Sequence, residues 1–117
     1  MSGERDPRVY LDDILDAAKK AQEFSAGFSF EQFEADEKTV YAVVRALEIV
    51  GEASKQVAPE IRDLAPEIPW RLMTGMRDKL IHAYSGIDLK VVWRTIQEEL
   101  PGVVAGIESL IRTLDES

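Results

Sequence analysis

The sequence has no cysteine, which excludes disulfides, thiolate metal sites and a cysteine nucleophile, and fits a reducing compartment. It has one histidine, His82. A zinc site built on a single histidine needs several carboxylates around it, and the charged neighbours of His82 are mostly bases, so neither a metal nor a cofactor is expected. No apolar run is long enough to cross a bilayer, and the opening MSGERDPRVYLDD carries charge where a secretory signal has its apolar core. The expectation is a cytoplasmic protein without membrane attachment. Repeats, low-complexity tracts, linkers and convincing strands are absent too, so residues 1–117 read as a single domain.

What is present is an ordinary globular composition, with 45% hydrophobic and 31% charged residues, enough to build one core in 117 residues. The net charge of −8 argues against a surface that binds nucleic acid all over. The sign is uneven, however. From Trp70 to Gln97 five bases (Arg71, Arg77, Lys79, Lys90, Arg94) face two acids (Asp78, Asp88), a balance of +3 that leaves −11 for the remainder.

Hydrophobic spacing predicts an all-α, up-and-down bundle of four main helices with short helical turns between them. The first opens at Asp6-Pro7, a cap followed by a first-turn proline. Tyr10, Ile14, Ala17, Ala21 and Phe24 then form one apolar stripe, and Gly27 closes the helix. Ser29 and Gln32 are spaced as a capping box for a short turn whose Phe28, Phe30 and Phe33 plug the core. The second main helix starts near Asp36 and buries Val40, Val43, Val44, Leu47, Val50 and Val57. Pro59, Pro66 and Pro69 punctuate a connection with one helical turn around Ile61 to Leu64. Trp70 opens the third helix, which runs to about His82, with Ser85-Gly86 as its stop. Asp88 caps the fourth, which carries Leu89, Val92, Trp93, Ile96 and Leu100; Pro101-Gly102 breaks or kinks it before Val103 to Leu114 resume the pattern.

Two groups of residues are candidates for chemistry. On the second helix Arg45, Glu48 and Glu52 stand three and four apart. They read as intrahelical ion pairs worth a few tenths of a kcal/mol, or as polar groups projecting into a shared site. On the third, Arg77-Asp78-Lys79-Leu80-Ile81-His82-Ala83-Tyr84 places an arginine, a histidine and a tyrosine close together in sequence. At about 100° per residue, Arg77 and Tyr84 share a helix face, whereas His82 lies about 140° from Arg77. Convergence of the three therefore requires a helix that distorts or ends near His82, or a second copy of the chain.

Without a metal, such a set suits a phosphodiester. Arginine grips phosphate through its planar fork and stabilises charge that develops in the transition state. Histidine moves protons near neutral pH. RNA supplies its own nucleophile in the 2′-hydroxyl, which predicts RNA over DNA and 2′,3′-cyclic phosphate ends.

The sequence as a whole closely resembles the HepT-like family of the HEPN superfamily, small helical ribonuclease toxins whose motif is Arg, four to six residues, His, one residue, Tyr. Arg77, His82 and Tyr84 match it with four residues between the first two. Arg8-Val9-Tyr10-Leu11-Asp12-Asp13-Ile14, Arg45 through Ala53, Ile68-Pro69-Trp70, and Met76-Arg77-Asp78 through Ile87-Asp88 extend the likeness over nearly the whole chain. The resemblance implies a HEPN-like bundle that forms a homodimer, with two motifs facing one cleft and Arg77 and His82 as the catalytic pair. It implies a toxin–antitoxin pair, with a minimal nucleotidyltransferase as the antitoxin that transfers AMP to Tyr84. It also makes Arg45, Glu48, Asp78 and Lys79 candidates for the cleft lining. The family usually has a polar residue, often asparagine, after the arginine; Asp78 stands there in this chain, and an acid beside a phosphate site is unfavourable unless paired.

Two further readings stay open beside the metal-independent endoribonuclease. One is a non-catalytic nucleotide- or RNA-binding subunit of a nucleotidyltransferase complex. The other is a structural dimer in which the motif only packs.

Overall fold

The computed structural model describes residues 6–83 and 88–116, apart from the side chains of residues 79 and 81–83. The expected stop at Ser85-Gly86 and the motif tyrosine, Tyr84, lie outside the described residues. Within them the chain is an all-α helical bundle.

Local chemistry starts most helices. Helix α1 (Pro7–Ser25) begins where the Asp6 carboxylate accepts the Arg8 amide at 2.9 Å, with proline in the first turn. After Ala26, Gly27 takes φ +82°, a left-handed backbone that glycine adopts without steric cost. Helix α2 (Phe30–Ala35) carries the expected capping box: Ser29 Oγ accepts the Gln32 amide at 3.1 Å, and Gln32 Oε1 accepts the Ser29 amide at 2.9 Å. Asp36 caps α3 (Glu37–Lys55) through the Thr39 amide.

Three elements differ from expectation in ways the neighbouring residues explain. The turn in the proline-rich connection is α4 (Pro59–Arg62), two residues earlier than expected, because Pro59 fits the first turn of a helix while Leu64 is left exposed. The single helix expected from Trp70 is two, α5 (Trp70–Thr74) and α6 (Met76–Ala83), joined at Gly75. The Gly75 amide donates to the carbonyls of Arg71 and Met73, closing α5 before α6 begins.

The last helix is not broken at Pro101-Gly102. Helix α7 (Leu89–Arg94), capped by Asp88, passes through a π-helical stretch (Thr95–Glu99) into α8 (Leu100–Glu116). The Leu100 amide donates to the Thr95 carbonyl, five residues back. This wider turn gives the Pro101 ring room that a regular turn would deny it, and the helix continues.

The core is shared by α1, α3 and α8. Leu11, Ile14 and Ala18 meet Val43, Leu47 and Val50, and Leu100, Val103 and Ile107 close the third side. Of the three phenylalanines expected to plug the core, Phe33 is fully buried and Phe28 and Phe30 pack partly against it. The Phe33 and Phe30 rings lie 5.2 and 6.2 Å from the Trp93 ring, tying α2 to α7.

Candidate phosphate-binding site on helix α6

The basic stretch begins in α5 and passes through the joint between α5 and α6, which three contacts fix. First, Trp70 is buried and its indole N–H donates to the Ala65 carbonyl at 3.0 Å. Second, the Arg62 guanidinium lies 5.8 Å from the Trp70 ring centre. It donates to the Ser54 carbonyl at 2.9 Å and to the Val57 carbonyl at 3.1 Å, so it also caps the end of α3. Third, Gly51 of α3 brings two backbones together. A Cβ at Gly51 would sit 3.2 Å from the Met73 carbonyl oxygen, 3.5 Å from the Arg77 amide nitrogen and 3.6 Å from the Met76 Cβ. With Met73, Met76 and Leu80 buried, α5 and α6 are pinned on one face against α3.

Arg77 stands on the opposite, solvent side, exposed in the first turn of α6, and Asp78 beside it is exposed as well. Among the described residues no carboxylate pairs with Arg77. An exposed guanidinium that no described carboxylate engages is suited to a phosphate. Lys79 and His82 lie on the same helix, which is regular from Met76 through Ala83. The backbone register therefore separates positions 77 and 82 by about 140°. A helix distorted between them is not what the backbone adopts.

Arg45, Glu48 and Glu52 occupy the neighbouring α3. Arg45 is exposed, and its guanidinium lies 3.7 Å from Glu48 Oε1 and 3.8 Å from Glu52 Oε1. Both distances are long for a charged hydrogen bond, and exposed pairs of this kind contribute little to stability. Glu48 is the most sheltered of the three, at 22% exposure, and sits one turn before Gly51. Glu52 borders a shallow groove between α1 and α3 with Tyr10, Asp13 and Gln56.

Gly51 lies in the Arg45-to-Ala53 stretch of the family likeness but receives no role there, and Arg62 lies in none of the stretches that carry the likeness. Arg62 has no motif signal, since its partners are two backbone carbonyls and a ring in flanking elements. Gly51 has a weak one, a glycine in the middle of an otherwise apolar helix face. Among the described residues no group of three or more His, Cys, Asp or Glu is placed to hold a metal ion. No helix of the described residues is long and apolar enough to cross a membrane.

Comparison with known proteins shows the family of the chain. No solved structure matches the chain. The family model described as ribonuclease HepT-like matches residues 14–110. A protein of Thermococcus cleftensis named "Probable ribonuclease HepT" is 49% identical over 106 residues, covering 91% of this chain and 96% of its own. A relative from Methanocaldococcus jannaschii, named as an RNase, is 39% identical over 112 residues, covering 96% and 97%. Another named as an RNase, from Caldanaerobacter subterraneus, is 40% identical over 106 residues, covering 91% and 95%. The matches run from α1 through α8 and take in the Arg77 joint, and the chain belongs to the HepT-like ribonuclease family.

Proposed function

We propose that this chain is a metal-independent endoribonuclease in which Arg77 and His82 act together on an RNA phosphodiester. The observation that carries the reading is the exposed Arg77, unpaired among the described residues and on one helix with the chain's only histidine, in a chain whose relatives are named as ribonucleases. The 2′-oxygen attacks the phosphorus, the bond to the 5′-oxygen breaks, and a 2′,3′-cyclic phosphate and a 5′-hydroxyl result. Imidazole of His82 takes the 2′-hydroxyl proton, and an imidazolium returns a proton to the leaving oxygen. Arg77 stabilises the charge that builds on the phosphate oxygens.

The register of α6 bears on assembly. Positions 77 and 82 diverge around a regular helix, so a homodimer that sets one copy's motif against the other's brings an arginine and a histidine to one phosphate. Arg45, Glu48, Asp78 and Lys79 then line the cleft. In this reading the protein is the toxin of a toxin–antitoxin pair acting in the cytoplasm. Its partner is a minimal nucleotidyltransferase that adenylates Tyr84; the added bulk and negative charge exclude RNA.

The test is incubation of RNA with purified protein in EDTA. Wild type cleaves, while Arg77→Ala and His82→Ala do not. Cleavage that appears only when a divalent metal is added refutes the mechanism. The exposed Asp78 beside Arg77 favours a second reading, a subunit that holds nucleotide or RNA without cutting it. Tight RNA binding with no cleavage, unchanged in His82→Ala, would establish that reading instead.

A further inference from the structure

We infer that Gly51 is a positioning residue for Arg77, a backbone stop on α3 that sets where the α5–α6 joint rests. The inference rests on the reading that Arg77 acts on the phosphate. Gly51 is buried inside a nineteen-residue helix, four residues before its end, where alanine would favour the helix more. Its backbone does not require glycine, because among the described residues only Gly27 has a positive φ. What does require it is space. The three nearest atoms that a Cβ would meet belong to the stretch from Met73 to Arg77: a carbonyl oxygen, an amide nitrogen and a Cβ.

These contacts are with the joint itself. The Met73 carbonyl accepts the Gly75 amide that closes α5, and the Arg77 amide belongs to the first turn of α6. Backbone resting on backbone has no rotamer through which to relax. A methyl group 3.2 Å from the Met73 oxygen is tighter than ordinary contact, so the joint must move by a few tenths of an ångström. That movement is at the root of the Arg77 side chain and is amplified at its guanidinium. Gly102, in α8, is the internal control, since a Cβ there meets nothing within 4 Å.

Misplacement of a reacting group by an ångström costs on the order of a hundredfold in rate, so a smaller shift predicts a kcat about three- to tenfold lower. Gly51→Ala and Gly102→Ala are compared with wild type by steady-state cleavage of a short RNA in EDTA, thermal melting, and the amide NMR shift of Arg77. Gly51→Ala is expected to stay folded, to lower kcat with little change in KM, and to move the Arg77 amide resonance. Gly102→Ala leaves all three as in wild type or raises the melting temperature. An unchanged kcat and amide shift in Gly51→Ala overturns the inference. A Gly51→Ala protein that does not fold overturns it as well, since the contact then serves the bundle as a whole. If wild type cleaves no RNA the ribonuclease reading fails, and the amide shift alone still decides whether Gly51 sets the position of Arg77.

Discussion

Helix α8 contains two glycines that turn the same substitution into opposite effects. At Gly102 a Cβ meets no atom within 4 Å. Gly102→Ala should therefore gain the helix preference alone, about 0.5–1 kcal/mol. At Gly106 a Cβ would lie 2.7 Å from Ile68 Cγ1 and 3.2 Å from Ile68 Cδ1. Ile68 is only 3% exposed and is followed by Pro69, so it has little room to turn aside. Overpacking of this kind costs about 1–3 kcal/mol, which outweighs the same helix gain. The two variants should differ by roughly 2 kcal/mol, or about 8 °C in melting temperature for a domain of this size. Thermal denaturation followed by circular dichroism measures both. In an Ile68→Ala background the clash is gone, and Gly106→Ala should then behave like Gly102→Ala, a coupling of about 2 kcal/mol. Equal melting temperatures for Gly102→Ala and Gly106→Ala in the wild-type background would refute the packing of α8 against Ile68.

Phe33→Ala removes a fully buried ring stacked near Trp93 and should cost about 3–5 kcal/mol in chemical denaturation, against much less for the half-buried Phe30→Ala. The Arg8 guanidinium bonded to Asp6 holds the Asp6 carboxyl below its usual range. What Asp6 contributes to stability is therefore present above the ordinary carboxylate pKa and is lost as pH falls through the lowered one. Asp6→Asn should be less stable than wild type at neutral pH, where the charged pair contributes, and should converge with wild type in acid; identical profiles at all pH values would contradict the pairing. Arg77→Ala should cut RNA cleavage by roughly a hundred- to a thousandfold. Because the side chain is exposed, its melting temperature should match wild type.

Much of this fold is written locally. Asp6-Pro7, Ser29 with Gln32, Asp36 and Asp88 each start a helix through one or two hydrogen bonds to nearby amides, and such signals need no knowledge of the rest of the chain. The elements that differ depend on atoms distant in sequence or on competing demands. Pro101 promises a break or a kink, but the apolar stripe on both sides favours continuity, and a π turn upstream lets the helix run on. The division at Gly75 depends on α5 and α6 resting against α3, where Gly51 leaves space for them. For the site, residue chemistry offers Arg77 and His82 as candidates, helical spacing alone sets them apart, and their pairing is what the family resemblance implies; the structure places Arg77 on the solvent side of a pinned helix. The Arg45 cluster shows why spacing alone decides little: the predicted ion pairs form, yet at 3.7 and 3.8 Å they leave the charges largely available to whatever meets that surface.

The central claim is that the 2′-hydroxyl of RNA is the nucleophile and that Arg77 and His82 promote its attack. Its most direct test is the chemistry of the ends produced when wild-type protein cleaves a defined RNA in EDTA, read by mass spectrometry beside Arg77→Ala and His82→Ala. The account predicts a 2′,3′-cyclic phosphate on one fragment and a 5′-hydroxyl on the other, with neither product from the two variants. Fragments ending in a 3′-hydroxyl and a 5′-phosphate would mean that water attacks instead, and would contradict it.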